Sequence, residues 1–256
     1  MKSPENVLAT QTKTEHLPVS GVIAGSRSWK WLYTVSAYAA LVMVFFIPVQ
    51  VLIYFIWPPP ETVTGWFQLF RENAMVGLLD MDLLLGVDYL LLALVFLAFY
   101  VSLSKYEPSL MAIALTLQLL AISIYFASNT AFEMLSLSKL YSNAGTEQEK
   151  SQLLAAGQAM LVTWQGTAFN VSYILGGLAL LIVSFVMYRT DVFGRAVAIL
   201  GIFMGILMMV PPTIGMIGLI ISLLSLVPLV PWLVLLAWRF FRLRNEPATD
   251  ATEIIT

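Results

Sequence analysis

Polar and apolar positions in this chain come in long blocks. After an uneven, polar first thirty residues, apolar runs occupy residues 31–57, 74–103, 108–129, 167–188, 193–210 and 214–241. Each is long enough to cross about 30 Å of hydrocarbon at ~1.5 Å per helical residue. The pattern predicts an all-α fold, a polytopic membrane bundle of about six transmembrane helices. A polar arm (residues 1–30) precedes the membrane domain (31–243) and a polar tail (244–256) follows it. The first run is too long, and starts too late, for a cleavable signal peptide.

Two connections carry patterns of their own. Residues 61–73 combine Trp66, Phe67, Leu69 and Phe70 with Glu61, Arg71 and Glu72, which suits a short interfacial helix. Residues 130–166 contain Thr146 followed three positions later by Glu149, a capped helix start. Together they predict short helices covering one end of the bundle. Gly194, Gly201 and Gly205 lie near one helical face in a small-xxx-small pattern, which favours close packing within the chain over dimerisation. Pro211 and Pro212 should end the fifth span, and Pro228 and Pro231 should bend the sixth. The stretches beginning at Phe99 and Phe185 echo each other faintly, as internal repeats do in many transporters.

Composition agrees with the pattern. Of 256 residues, 59% are hydrophobic and 11% charged, and mean hydropathy is +0.86. Soluble domains carry roughly 25% charged residues. Lysines and arginines orient the bundle. With the N-terminus inside, Lys2, Lys13, Arg27, Lys30, Lys105, Arg189, Arg195, Arg239, Arg242 and Arg244 fall on inner segments, against Arg71, Lys139 and Lys150 on outer ones. By the positive-inside rule both termini are expected in the cytoplasm, in a plasma (inner) membrane. Trp57, Trp66, Trp164, Trp232 and Trp238 stand near span ends and are expected as interfacial anchors.

The anomaly is the second run, where Asp80, Asp82 and Asp88 interrupt eleven leucines. An aspartate at mid-membrane costs about 2.5–3.5 kcal/mol, and each leucine returns roughly 0.3–0.6 kcal/mol, so the run inserts regardless. In one continuous helix Asp82 would point nearly opposite Asp80, and Asp88 would lie about 21 Å along, near the middle. No lysine, arginine or histidine stands in the interior of a span, Arg195 and Arg239 lying at span ends, so Asp88 is expected as a neutral acid hydrogen-bonded to a neighbour such as Gln118. Asn129, Thr130, Glu133, Gln165, Thr167, Asn170 and Tyr173 concentrate further polarity towards the outer side. The expected binding site is an outward-facing pocket of Asp80, Asp82, Asp88, Asn129, Glu133, Gln165 and Asn170. It would take a proton, a small cation or a polar small molecule, as a small transporter or binding protein does. In the alternative, a structural or regulatory membrane protein, the acids only hydrogen-bond helices together.

Other chemistries lack their residues. There is no cysteine, and the lone histidine, His16, lies in the polar arm. Disulfides, thiolate metal sites and histidine-ligated zinc are thereby set aside, and neither a cofactor nor a bound metal is expected. No nucleophile elbow, phosphate loop or metalloprotease motif occurs, so catalysis is the weaker class. A net charge of −2 without a basic run argues against nucleic acid, and leaves membrane lipid as the expected partner. The runs LLDMDLLLGVDYLLLALVFLAFYVSL, ASNTAFEML and YRTDVFGRAVAILGIFMGI resemble an uncharacterised prokaryotic membrane family, domain-of-unknown-function family 4386. That resemblance covers most of the chain from Trp31 to Leu243. It implies a multi-span helical protein and supplies no catalytic residues.

Overall fold

Backbone inside hydrocarbon must satisfy its own hydrogen bonds, and this chain does so with helices. The computed structural model describes residues 20–245, with side chains from residue 29. The polar arm and tail fall largely outside the described residues; the parts that are described, from Ser20 and up to Asn245, are helical. The described elements are α1 (Ser20–Ile56), α2 (Val63–Glu72), α3 (Ala74–Asp80), α4 (Leu83–Leu103), α5 (Pro108–Ser128), α6 (Ala131–Asn143), α7 (Glu147–Trp164), α8 (Thr167–Thr190), α9 (Arg195–Leu207) and α10 (Gly215–Asn245). No strand occurs among the described residues.

Five helical stretches are long and apolar enough to cross a membrane: Trp29–Ile56, Leu83–Leu103, Pro108–Asn143, Glu147–Thr190 and Gly215–Asn245. The fifth expected run takes the form of α9, a 13-residue apolar helix of about 20 Å, shorter than the hydrocarbon. The long helices are those of a membrane-embedded protein. α1, α4, α5, α8, α9 and α10 form a closed ring, each packed on the next and α10 back on α1. Phe99 sits at its aromatic centre, in contact with Phe96, Phe193, Trp232 and Phe240. α10 continues through Pro228 and Pro231, which stand inside one unbroken helix.

Small residues allow close contacts in the ring. A Cβ on Gly205 would lie 2.6 Å from Leu181 Cγ and 3.1 Å from the Gly177 carbonyl oxygen. Gly201 faces Ser184 and Trp232 as closely. Gly201 and Gly205 are thus spent on α8 and α10 of the same chain, whereas Gly194 caps the start of α9 at φ 83° with nothing within 4 Å of its Cβ position.

The remaining helices, α2, α3, α6 and α7, form a cap at one end, with a second core of Trp66, Phe67, Phe70, Met81, Met134 and Trp164. α2 is the amphipathic segment anticipated at residues 61–73, with Val63, Trp66, Phe67 and Phe70 buried. The start of α7 is capped as its sequence indicated: Thr146 accepts from the Glu149 amide at 3.2 Å, and Glu149 accepts from the Gly145 amide at 3.1 Å. Thr146→Ala should therefore cost about 1 kcal/mol locally. Faster amide exchange in the first turn of α7, with the ring unaffected, would show it; unchanged exchange would refute it.

Three of the five tryptophans are not interfacial anchors. Trp66, Trp164 and Trp232 are buried, the first two in the cap core and the third in the ring, because each has neighbouring aromatics to pack on. Trp57 and Trp238 are exposed, and the Arg242 guanidinium lies 3.6 Å from the Trp238 ring centroid. The end of the ring opposite the cap is tied by Arg189, 3.1 Å from Glu107, and by Arg239, which donates to the Val192 carbonyl.

Candidate functional site

The second apolar run is broken at Asp80-Met81-Asp82, where α3 ends and α4 begins. This corrects the single continuous helix anticipated over residues 74–103, and with it the opposed directions of Asp80 and Asp82. Asp82 adopts the left-handed conformation, φ 66°, which short polar side chains tolerate better than most. A helix break in an apolar setting frees carbonyls that need donors. Side chains from neighbouring elements meet that need: Asn129 donates to Met81 O (3.0 Å), while Gln50 on α1 donates to Leu79 O (3.3 Å) and Tyr125 on α5 to Asp82 O (3.0 Å), carbonyls that also accept the Asp82 and Gly86 amides.

The Asp82 carboxylate ties the break to both layers. It accepts from the Tyr54 hydroxyl of α1 at 3.0 Å and from Trp164 Nε1 of α7 at 2.9 Å. Trp164 also stands edge-on to Trp66, centroids 5.7 Å apart at 82°. One side chain thus joins a membrane helix, the broken helix and the cap. Below it Tyr89 and Tyr125 stack at 4.3 Å and 8°, closing the floor of this end of the ring with Phe169.

Asp80 is in the opposite condition. Its side chain is fully buried, and neither carboxylate oxygen has a hydrogen-bond partner. Gln50, which reaches the same turn, has its Oε1 buried and unpartnered as well.

Asp80 and Asp82 face a cavity of about 950 Å³ between the cap and the end of the ring. Its walls come from α1 (Tyr54), the 59–61 turn (Pro59, Pro60, Glu61), α2 (Trp66), α7 (Leu161, Val162, Trp164) and α8 (Phe169). The loop before α10 adds Pro212 and Thr213, and α10 adds Leu219. Among the described residues the lining contains no lysine, arginine or histidine.

The seven anticipated residues therefore separate. Asp80, Asp82 and Gln165 line the cavity. Asn170 stands behind the wall, donating to Gly166 O and accepting from the lining residue Thr213. Asn129 stitches the helix break. Asp88 lies deeper in α4, half-buried, and Glu133 is exposed in the first turn of α6. The hydrogen bond expected between Asp88 and Gln118 is not formed: Asp88 Oδ1 and Gln118 Nε2 are both buried without partners. Tyr54, Trp66 and Trp164 were not anticipated as part of the site. Their signal was polar-tipped aromatic residues at the same end of the spans as the acids. Among the described residues no group of three or more histidines, aspartates or glutamates gathers to hold a metal ion. No family model, curated protein or solved structure matches the chain.

Proposed function

We propose that this membrane-embedded protein is a ligand-binding protein whose site is the cavity beneath the cap, and that the ligand is a small polar or cationic molecule. One observation carries the reading: Asp80 is fully buried on the cavity wall with both carboxylate oxygens unpartnered. A buried acceptor without a donor costs stability, and native interiors rarely keep one. Acids serving only to join helices would be paired, as Asp82 is; Asp80 is paired with nothing and lies just beneath the wall of a space that a ligand can fill.

The positive-inside bias orients the cavity towards the outer side of a plasma membrane and both termini towards the cytoplasm. Transport is the second reading. It is favoured by the helix interruption that borders the cavity at Asp80–Asp82, since discontinuous helices surround the substrate sites of many transporters. Membership of the resembling family belongs to this proposal and adds no residue to the site.

The chain has no cysteine, so a single Leu161→Cys variant gives an uncluttered test. The folded variant should react with a water-soluble maleimide, and at least one member of a panel of charged and neutral small organic molecules should slow that reaction. A cysteine that never reacts in folded protein, or whose labelling no compound slows, would overturn the binding reading.

A further inference from the structure

Resting on that reading, we infer that the ligand is a protonated organic amine: an ammonium group held by Asp80 and an apolar body held by the aromatic wall of the cavity. Three features select this class. The first is charge. Glu61, Asp80 and Asp82 line the cavity with no basic residue beside them among the described residues, so an anion is disfavoured and a cation drawn in.

The second is the hydrogen-bonding inventory. Asp82 is already committed to Tyr54 and Trp164. Asp80 Oδ1 and Oδ2 are buried acceptors without donors. An ammonium carries several N–H donors and no acceptor, and charge-assisted bonds to a carboxylate are the strong ones. A neutral alcohol offers one donor, and a quaternary ammonium none.

The third is shape. A cavity of about 950 Å³ lies at the upper end of the range for small organic ligands, roughly 300–1,000 Å³, and is far larger than a bare ion requires. Its apolar residues include Pro59, Pro60 and Leu219, and Tyr54, Trp66 and Phe169 contribute rings. Aromatic rings attract organic cations and also cover an apolar skeleton. A divalent inorganic cation is commonly held by several carboxylates gathered at one point, and no group of three or more aspartates or glutamates gathers so among the described residues.

The test uses the intact protein in detergent and a series of primary ammonium compounds from ethylammonium to 2-(naphthyl)ethylammonium. Each is paired with the alcohol and the carboxylate of the same skeleton. Calorimetry on the unsubstituted protein and protection of Leu161→Cys from maleimide are read in parallel. At least one ammonium compound should bind at least about tenfold more tightly than its alcohol, with the carboxylate weaker still, and Asp80→Asn should weaken it by about tenfold or more. If alcohols or carboxylates bind as well as the amines, or folded Asp80→Asn binds the amine unchanged, the assignment of an amine falls while the cavity remains a binding site. If no compound of any charge protects the cysteine, the binding reading fails, and the amine with it. The isostere comparison needs no change at Asp80, so it decides the matter even if that variant does not fold.

Discussion

Gly205→Leu is expected to unfold the bundle or lower its thermal midpoint steeply, whereas Gly145→Ala should leave it unchanged. In lipid, helices are not driven together by the hydrophobic effect, because lipid tails are as apolar as leucine; close packing and interhelical hydrogen bonds hold them. At Gly205 the α9 backbone approaches Leu181 and the Gly177 carbonyl of α8 so closely that a single Cβ already intrudes. The leucine side chain of α8 can turn away; the Gly177 backbone cannot do so without moving α8. Overpacking of a tight contact typically costs about 1–3 kcal/mol. The upper part of that range applies here, because Gly177 faces Met208 and the Gly205 carbonyl in return, leaving neither helix room to yield. α9 is also the shortest helix of the ring, so it has the least other surface to hold it in place. Gly145, exposed in the turn before α7, has nothing within 4 Å of its Cβ position. Thermal unfolding in detergent, with monodispersity read by gel filtration, compares the two. A Gly205→Leu protein as stable as the parent would mean that the α8–α9 contact does not hold the ring together. Loss of a dimer without loss of stability would mean that the glycines serve association between chains.

The helices were legible in the sequence wherever hydrophobic length alone decides them. Residues 108–129, 167–188 and 214–241 became α5, α8 and α10 nearly to the residue, since uninterrupted apolar runs have no alternative in hydrocarbon. The capped start of α7 and the amphipathic α2 were equally readable, because their signals are local. The break at Asp80–Asp82 was not. Leu78, Leu79, Leu83 and Leu84 continue the helical pattern on either side, and the contacts that hold the break are tertiary: donors from Gln50, Tyr125 and Asn129 converge on the carbonyls around it. Those donors lie on other helices, and nothing in the 74–103 stretch indicates them. The same blindness affects the site. The three aspartates stood out by their cost in lipid, yet the sequence could not distinguish paired Asp82 from unpaired Asp80. That distinction depends on Trp164, a residue 82 positions away that reads locally as an interfacial aromatic.

Substitutions at Asp82 should separate its two duties, holding a left-handed turn and accepting two hydrogen bonds from different layers. Asp82→Asn keeps the short side chain suited to φ 66° and retains one acceptor oxygen, but turns an amide towards the other donor. Asp82→Gly removes both acceptors while suiting the turn better still. Asp82→Ala removes both acceptors and adds the left-handed penalty of about 1–2 kcal/mol. Each buried donor left without an acceptor costs about 1–3 kcal/mol, and here two are left, Tyr54 Oη and Trp164 Nε1. The expected order of stability is therefore parent, asparagine, glycine, alanine, with alanine about 3 kcal/mol or more below the parent. Chemical denaturation in mixed micelles gives that order directly. A double-mutant cycle between Asp82→Asn and Trp164→Phe then isolates the link between α4 and the cap. Strong coupling would mean that the cavity wall is clamped by this bond, and that loss of Asp82 opens the cap as well as weakening the ring. Additive effects, or an alanine variant as stable as the parent, would remove Asp82 as the tie between the layers and leave the Trp66–Trp164 contact alone to close the cavity.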